Sequence, residues 1–92
     1  MKKITLNNNA YELIKDKGNC FNFDELEEKF TDYFDEYDYV FADYAYDKIR
    51  LKGFFDSHNK KATEVNDLKY LDEYIENYCA YGANYFLLKK IK

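Results

Sequence analysis

Apolar and polar residues alternate with period two over residues 39–55. Tyr39, Phe41 and Asp43 interleave with Val40, Ala42 and Tyr44, and Ile49, Leu51, Gly53 and Phe55 interleave with Arg50, Lys52 and Phe54. Period two on both sides of a break predicts an antiparallel hairpin, with residues 39–44 pairing against 49–55. The break, Ala45-Tyr46-Asp47-Lys48, has no Asn-Gly or Gly-Gly pair, so a loop of three to five residues is expected rather than a two-residue turn.

Elsewhere the pattern switches between the two periods. Ile4-Thr5-Leu6 and residues 11–15 read as short strands joined by Asn7-Asn8-Asn9, since asparagine tolerates the left-handed backbone of a tight turn. Residues 16–19, with Gly18, break the pattern and form a connection. A first helix follows. Asn22 can cap it, Glu25 stands three residues on, and Phe21 with Leu26 makes a hydrophobic staple. Leu26, Phe30, Tyr33, Phe34 and Tyr37 continue at helical spacing, an aromatic stripe suited to the core. Residues 56–66 are polar and mostly aperiodic, the expected mobile loop. A second helix starts at Asn66 or Asp67, carries Leu68, Leu71, Ile75, Tyr78 and Cys79 on one stripe, and ends at Gly82. Residues 84–91 read as a buried strand with a lysine-rich end. The order strand-strand-helix-strand-strand-helix-strand predicts an α+β domain with a mainly antiparallel sheet. Both helices are expected on one face of it, with Phe30, Phe34, Leu71 and Ile75 in the core.

Composition bounds this picture. Ninety-two residues allow one domain, spanning 1–92, and nineteen tyrosines and phenylalanines enlarge its core while tyrosine hydroxyls stay at the wet edge. No apolar run nears the roughly 20 residues of a membrane span, and MKKITLNNN lacks a signal-peptide core, so a soluble, cytoplasmic chain is expected. Cys20 and Cys79 are far apart without a CxxC, so two reduced thiols are expected, and with His58 the only histidine a zinc site is not. No cofactor is implied. The net charge of −4 is segregated: from Asp24 to Asp47 ten acidic residues face Lys29 alone, giving −9 there and +5 over the rest. A two-sided electrostatic surface follows, the plainer alternative being a solvated acidic helix face.

Several stretches resemble the YutD-like family, small proteins of low-GC Gram-positive bacteria. They are residues 11–16 (YELIKD), Tyr37-Asp38-Tyr39-Val40, Asp43, Tyr46, residues 50–55 (RLKGFF), Lys61-Ala62-Thr63, Tyr78-Cys79 and residues 85–90 (YFLLKK). The resemblance covers nearly the whole chain and implies the family's fold rather than an activity. The family shows Gly-Asp-Trp-Gly-Tyr around the hairpin tip, where this chain has Ala42-Asp43-Tyr44-Ala45-Tyr46.

Three functions fit these features to different degrees. The first is a non-enzymatic module that docks a protein through the hairpin tip and return strand, with Asp43, Tyr44, Tyr46, Arg50 and Lys52 as contact residues, because tyrosine and arginine are favoured at binding hot spots. The plainer alternative is that both tyrosines merely cover the sheet. The alternative is RNA binding, in which Arg50, Lys52, Lys89, Lys90 and Lys92, interleaved with Tyr44, Phe54 and Phe86, form a basic face with stacking rings. The acidic balance and the absence of an RNP-type motif count against it. The third, catalysis by Asp43 and Asp47 as acid and base, has no supporting motif, and no enzyme is expected.

Overall fold

The computed structural model describes residues 2–79 and 82–91. Strands β1 (Lys2–Leu6) and β2 (Asn9–Lys17) lead to helix α1 (Phe23–Lys29). The hairpin β3 (Tyr39–Ala45) and β4 (Lys48–Phe54) is followed by helix α2 (Leu71–Tyr78) and strand β5 (Tyr85–Ile91). Short 3₁₀ turns at Asp32–Glu36 and Leu68–Tyr70 precede β3 and α2. The strands form one antiparallel sheet in the order β1-β2-β5-β3-β4. The fold is therefore α+β, as expected.

The helices do not share a face. In β3, Val40 and Ala42 belong to a cluster with Leu26 of α1, Tyr11, Ile49, Phe86 and Leu88, while Phe30 and Phe34 pack against it. Their neighbours Tyr39 and Phe41 point the other way, into a cluster with Phe54, Tyr85 and Leu87 that Leu71, Tyr74 and Ile75 of α2 cover. The expectation of both helices on one face is corrected by this alternation. Residues 39–42 and 85–88 are buried without interruption, so β3 and β5 are apolar on both sides and each side needs a cover. Phe30, Phe34, Leu71 and Ile75 do pack on the core, the first pair on one face and the second pair on the other.

Local chemistry sets the joins. Asn7 and Asn8 take φ of 51° and 67°, the left-handed pair of a two-residue hairpin turn. Tyr46 and Asp47 do the same, with φ of 53° and 63°, and Ala45 pairs with Lys48. The longer loop expected there is thus replaced by a tight turn. The physical reason is register: seven consecutive β3–β4 pairs place each side chain on its proper face, and a slip would reverse all of them. Asn22 caps α1 by accepting the Glu25 N–H at 3.1 Å, but the helix stops at Lys29 and Phe30 is extended. The aromatic stripe is therefore split between α1 and the 3₁₀ turn. Phe30 meets Tyr11 edge-on at 5.7 Å and Phe34 at 5.5 Å. Asp67 caps the run into α2 by accepting the Lys69 N–H, and α2 ends at Tyr78, before Gly82.

Residues 56–66, expected to be mobile, are laced down. Asp38 Oδ2 accepts the Asp56 N–H at 2.8 Å and Asn59 Nδ2 at 3.0 Å. Asn66 O accepts the Phe55 N–H at 2.7 Å, and Phe55 O accepts the Leu68 N–H at 2.9 Å. Among the described residues no helix is long and apolar enough to cross a membrane.

Candidate functional site

The β3–β4 hairpin distributes the five contact residues read from the sequence rather than gathering them. Asp43 faces α2 and is 1% exposed. Its cross-strand partner Arg50 donates to it from Nε at 3.2 Å and through a closer ion pair from Nη2. Arg50 Nη2 also donates to Tyr78 O at 3.3 Å. Lys52, on the same face, lies 5.1 Å from the Phe54 ring and 5.4 Å from that of Tyr74. These three residues form a clasp between β4 and α2. Tyr44 points to the opposite face and donates to Cys20 O at 3.2 Å; burial, then nearby Glu25, pushes its phenol up. Tyr46 alone is free of the core, 98% exposed at the turn.

The neighbouring chemistry is closed. Burial and then Asp43, which accepts its hydrogen bond, push the Cys79 thiol up to about 11. Burial and then Asp16 do the same to Cys20, also to about 11. Neither is a thiolate nucleophile at neutral pH. Asp43 is engaged by Arg50 whereas Asp47 is exposed on the turn, so the two do not meet as an acid and a base.

The exposed apolar side chains are where sequence reasoning fell short. Besides Tyr46, the large ones among the described residues are Tyr33, Val65 and Tyr78, at 62, 73 and 67% exposure, and Ile91 at 38%. The first three flank β4. Tyr33, Tyr37, Leu51 and Val65 line a concavity of about 250 Å³ on the α1 side. Val65, Tyr70, Tyr74 and Tyr78 line one of about 430 Å³ on the α2 side, with Glu64 and Glu73 beside them. Tyr33 and Tyr78 were visible as members of helical stripes, but their exposure depends on where α1 and α2 stop. Val65 carried no signal, lying in a polar loop.

The proposed RNA face does not assemble. Phe86 is wholly buried on the α1 side, Phe54 lies under Tyr74, and Tyr44 bonds inward, so none of the three rings read with that face is offered to a base. Lys92 lies outside the described residues. A wider cleft of about 660 Å³ opens on the α2 side beyond the helix. Its floor is a cross-strand row of Lys3, Glu12, Lys89 and Tyr39 set by register, and Asp56, His58 and Asn59 form its wall. Burial, then Asp56 and Asp38, pushes the Tyr39 phenol up. Among the described residues no group of three or more His, Cys, Asp and Glu side chains is gathered as a metal site.

Comparison with known proteins gives a consistent result. Residues 5–89 match the family described as "Putative antitoxin YutD-like". The chain is 40% identical over 89 residues to "Putative antitoxin YutD" of Bacillus subtilis (strain 168), covering 97% of this chain and 98% of that one. It is similar in fold to the solution NMR structure of the yutD protein from B. subtilis, with a TM-score of 0.81 and 39% identity. That match covers 100% of this chain and 84% of the other.

Proposed function

The chain belongs to the YutD-like family, and on that premise we propose that it is a non-enzymatic, antitoxin-type module that restrains a partner protein by binding it through the β3–β4 hairpin. The observation that carries this reading is the distribution of exposed apolar side chains. Among the described residues, four of the five large ones, Tyr33, Tyr46, Val65 and Tyr78, lie along one hairpin, at its turn and on both of its faces, and aromatic side chains are favoured at contact surfaces. Tyr46 adds a second support. A tyrosine at positive φ is strained, and its side chain buries nothing in return, which is the kind of local cost that binding sites retain.

The clasp of Asp43, Arg50 and Lys52 supports the surface rather than forming it. It ties β4 to the C-terminal end of α2 and so fixes Tyr78 relative to the hairpin. Tyr44 is half-buried against the α1-side cluster and turned inward. Of the five residues named from sequence, Tyr46 is the contact group in this reading, and Tyr33, Val65 and Tyr78 join it.

The test is affinity capture from a lysate of a related bacterium, with and without nuclease, using the wild type and a variant carrying Tyr46→Ser and Tyr78→Ser. Nuclease-resistant recovery of one protein, lost with the variant at unchanged melting temperature, is the expected result. Equal recovery by the variant removes the hairpin from the function, and nuclease-sensitive recovery replaces a direct protein contact with a nucleic-acid bridge.

A further inference from the structure

β4 is the last strand of its sheet, and its pairing turns a defined set of backbone groups away from β3. A two-residue turn makes Ala45 and Lys48 a hydrogen-bonded pair. By the alternation of antiparallel ladders, Lys48, Arg50, Lys52 and Phe54 turn their N–H and C=O groups to β3, while Ile49, Leu51 and Gly53 turn theirs outward. Phe55 is the next residue of the outward series. It gives its N–H to Asn66 and takes that of Leu68, in a parallel bridge with Asp67. The chain thus already lays one residue of extra strand on this edge and then turns away into α2.

We propose that the remaining edge, at Ile49, Leu51 and Gly53, accepts an extended segment of the partner protein as a sixth strand, and that this segment alternates acidic and apolar residues. The inference rests on the hairpin being the partner-binding surface and names how it binds. The chemistry of the two sides of β4 sets the requirement. Lys48, Arg50 and Lys52 line the α2 side, and Ile49 and Leu51 line the α1 side beside Tyr33 and Tyr37. Arg50 is partly satisfied by Asp43, and Glu64 and Glu73 stand beyond Lys52, so Lys48 and Lys52 are the cations left to attract an incoming carboxylate. An apolar side chain on the other side would fill the concavity under Tyr33.

The same pattern opposes a second copy of this chain as the occupant. In any antiparallel β4–β4 pairing through the outward groups, even-numbered residues face even-numbered ones, so Lys48, Arg50 and Lys52 confront one another. Like charges directly opposite across strands are destabilising, and lysines on an edge are a common guard against self-association. A carboxylate-bearing strand converts that guard into attraction, which is how a charged edge selects one kind of partner.

The test uses the full chain, labelled with ¹⁵N and titrated with a blocked peptide of about nine residues alternating glutamate and valine, and with a lysine–valine counterpart; a strand contact should slow exchange at the paired amides by at least about tenfold. Slowing confined to Ile49, Leu51 and Gly53, and an affinity for the lysine peptide at least about tenfold lower at low salt, are the expected results. Leu51→Pro should abolish binding where Leu51→Ala only weakens it, because proline removes the outward N–H without touching the ladder to β3. Shifts at Tyr33 and Tyr78 with no protection of the edge amides would overturn strand addition while leaving the hairpin as the contact surface. No response at either place, together with unchanged capture by the serine variant, would remove both. Equal binding of the two peptides would overturn the acidic partner.

Discussion

Tyr37 closes over Gly53: a Cβ built on Gly53 would lie 2.3 Å from the Tyr37 Cγ and 2.4 to 2.6 Å from its Cδ atoms. The glycine of β4 is therefore a seat for a ring from the 3₁₀ turn before β3, and the ring in turn stands 4.6 Å from that of Phe55. Gly53→Ala should push Tyr37 off its seat and cost roughly 1–3 kcal/mol, as overpacking does. In a domain of this size each kcal/mol corresponds to about 4–8 °C of melting temperature. Combining Gly53→Ala with Tyr37→Ala should recover most of the added cost, a coupling that a double-mutant cycle measures.

Asp38 pins the loop after β4, since one carboxylate oxygen accepts from both the Asp56 N–H and Asn59 Nδ2. Asp38→Ala should raise amide exchange at residues 56–59 by about tenfold or more while amides of β3 and β5 keep their protection. The backbone C=O of Asp38, which accepts the Lys90 N–H, is unaffected by the substitution. Unchanged exchange in the loop would mean that its own hydrogen bonds, such as Asn59 N–H to Asp56 O, suffice.

Much of this architecture was legible in the chain, and the exceptions have physical causes. Asn22, Leu26 and the β3–β4 pairing follow from capping chemistry and period two, which act over a few residues. The placement of α2 opposite α1 does not follow from either helix. It follows from residues 39–42 and 85–88 being apolar at every position, so that the strands, not the helices, demand two covers. The tight turn at Tyr46 and Asp47 is not legible in its two residues because its cause is long-range, the register of the whole hairpin outweighing their preference. The candidate site was only partly legible, because the burial of Asp43, the inward hydrogen bond of Tyr44 and the exposure of Val65 are set by tertiary packing.

Tyr11 is wholly buried, and its hydroxyl has no hydrogen-bond partner among the described residues. Burial, then Asp35, pushes its phenol up to about 12. A phenol raised above its ordinary value of about 10 keeps its proton in the folded state after the unfolded chain has lost it, so stability falls as pH rises from about 10 towards about 12. Tyr11→Phe should remove this part of the alkaline loss. At neutral pH it should also raise stability by roughly 1 kcal/mol, because an unpaired buried hydroxyl is replaced by hydrogen. Chemical denaturation at pH 7 and pH 11 reads both effects.

Both thiols, raised to about 11, should react sluggishly. At pH 8 a group with that pKa is ionised roughly a hundredfold less than an ordinary cysteine, so alkylation by iodoacetamide should be slower in the folded chain by at least about tenfold. Unfolding in urea should abolish the difference, and mass spectrometry of the two sites reports it for each thiol separately.

Tyr46 offers the sharpest separation of stability from function. Its φ of 53° and that of Asp47 at 63° place two non-glycine residues in the left-handed region, at about 1–2 kcal/mol for an ordinary side chain such as tyrosine. Asparagine followed by glycine is the pair that a turn of this geometry favours. At 98% exposure the tyrosine ring contributes no burial that the replacement would forfeit. The double substitution Tyr46→Asn with Asp47→Gly should therefore stabilise the domain by about 1 kcal/mol, a gain of several degrees in melting temperature. If the hairpin tip serves the partner, the same variant should lose capture while it gains stability, an opposition that a purely structural tyrosine would not produce. A variant that melts higher and binds as before would assign the strain at Tyr46 to no binding role. One that melts lower would show that the turn draws support from its tyrosine.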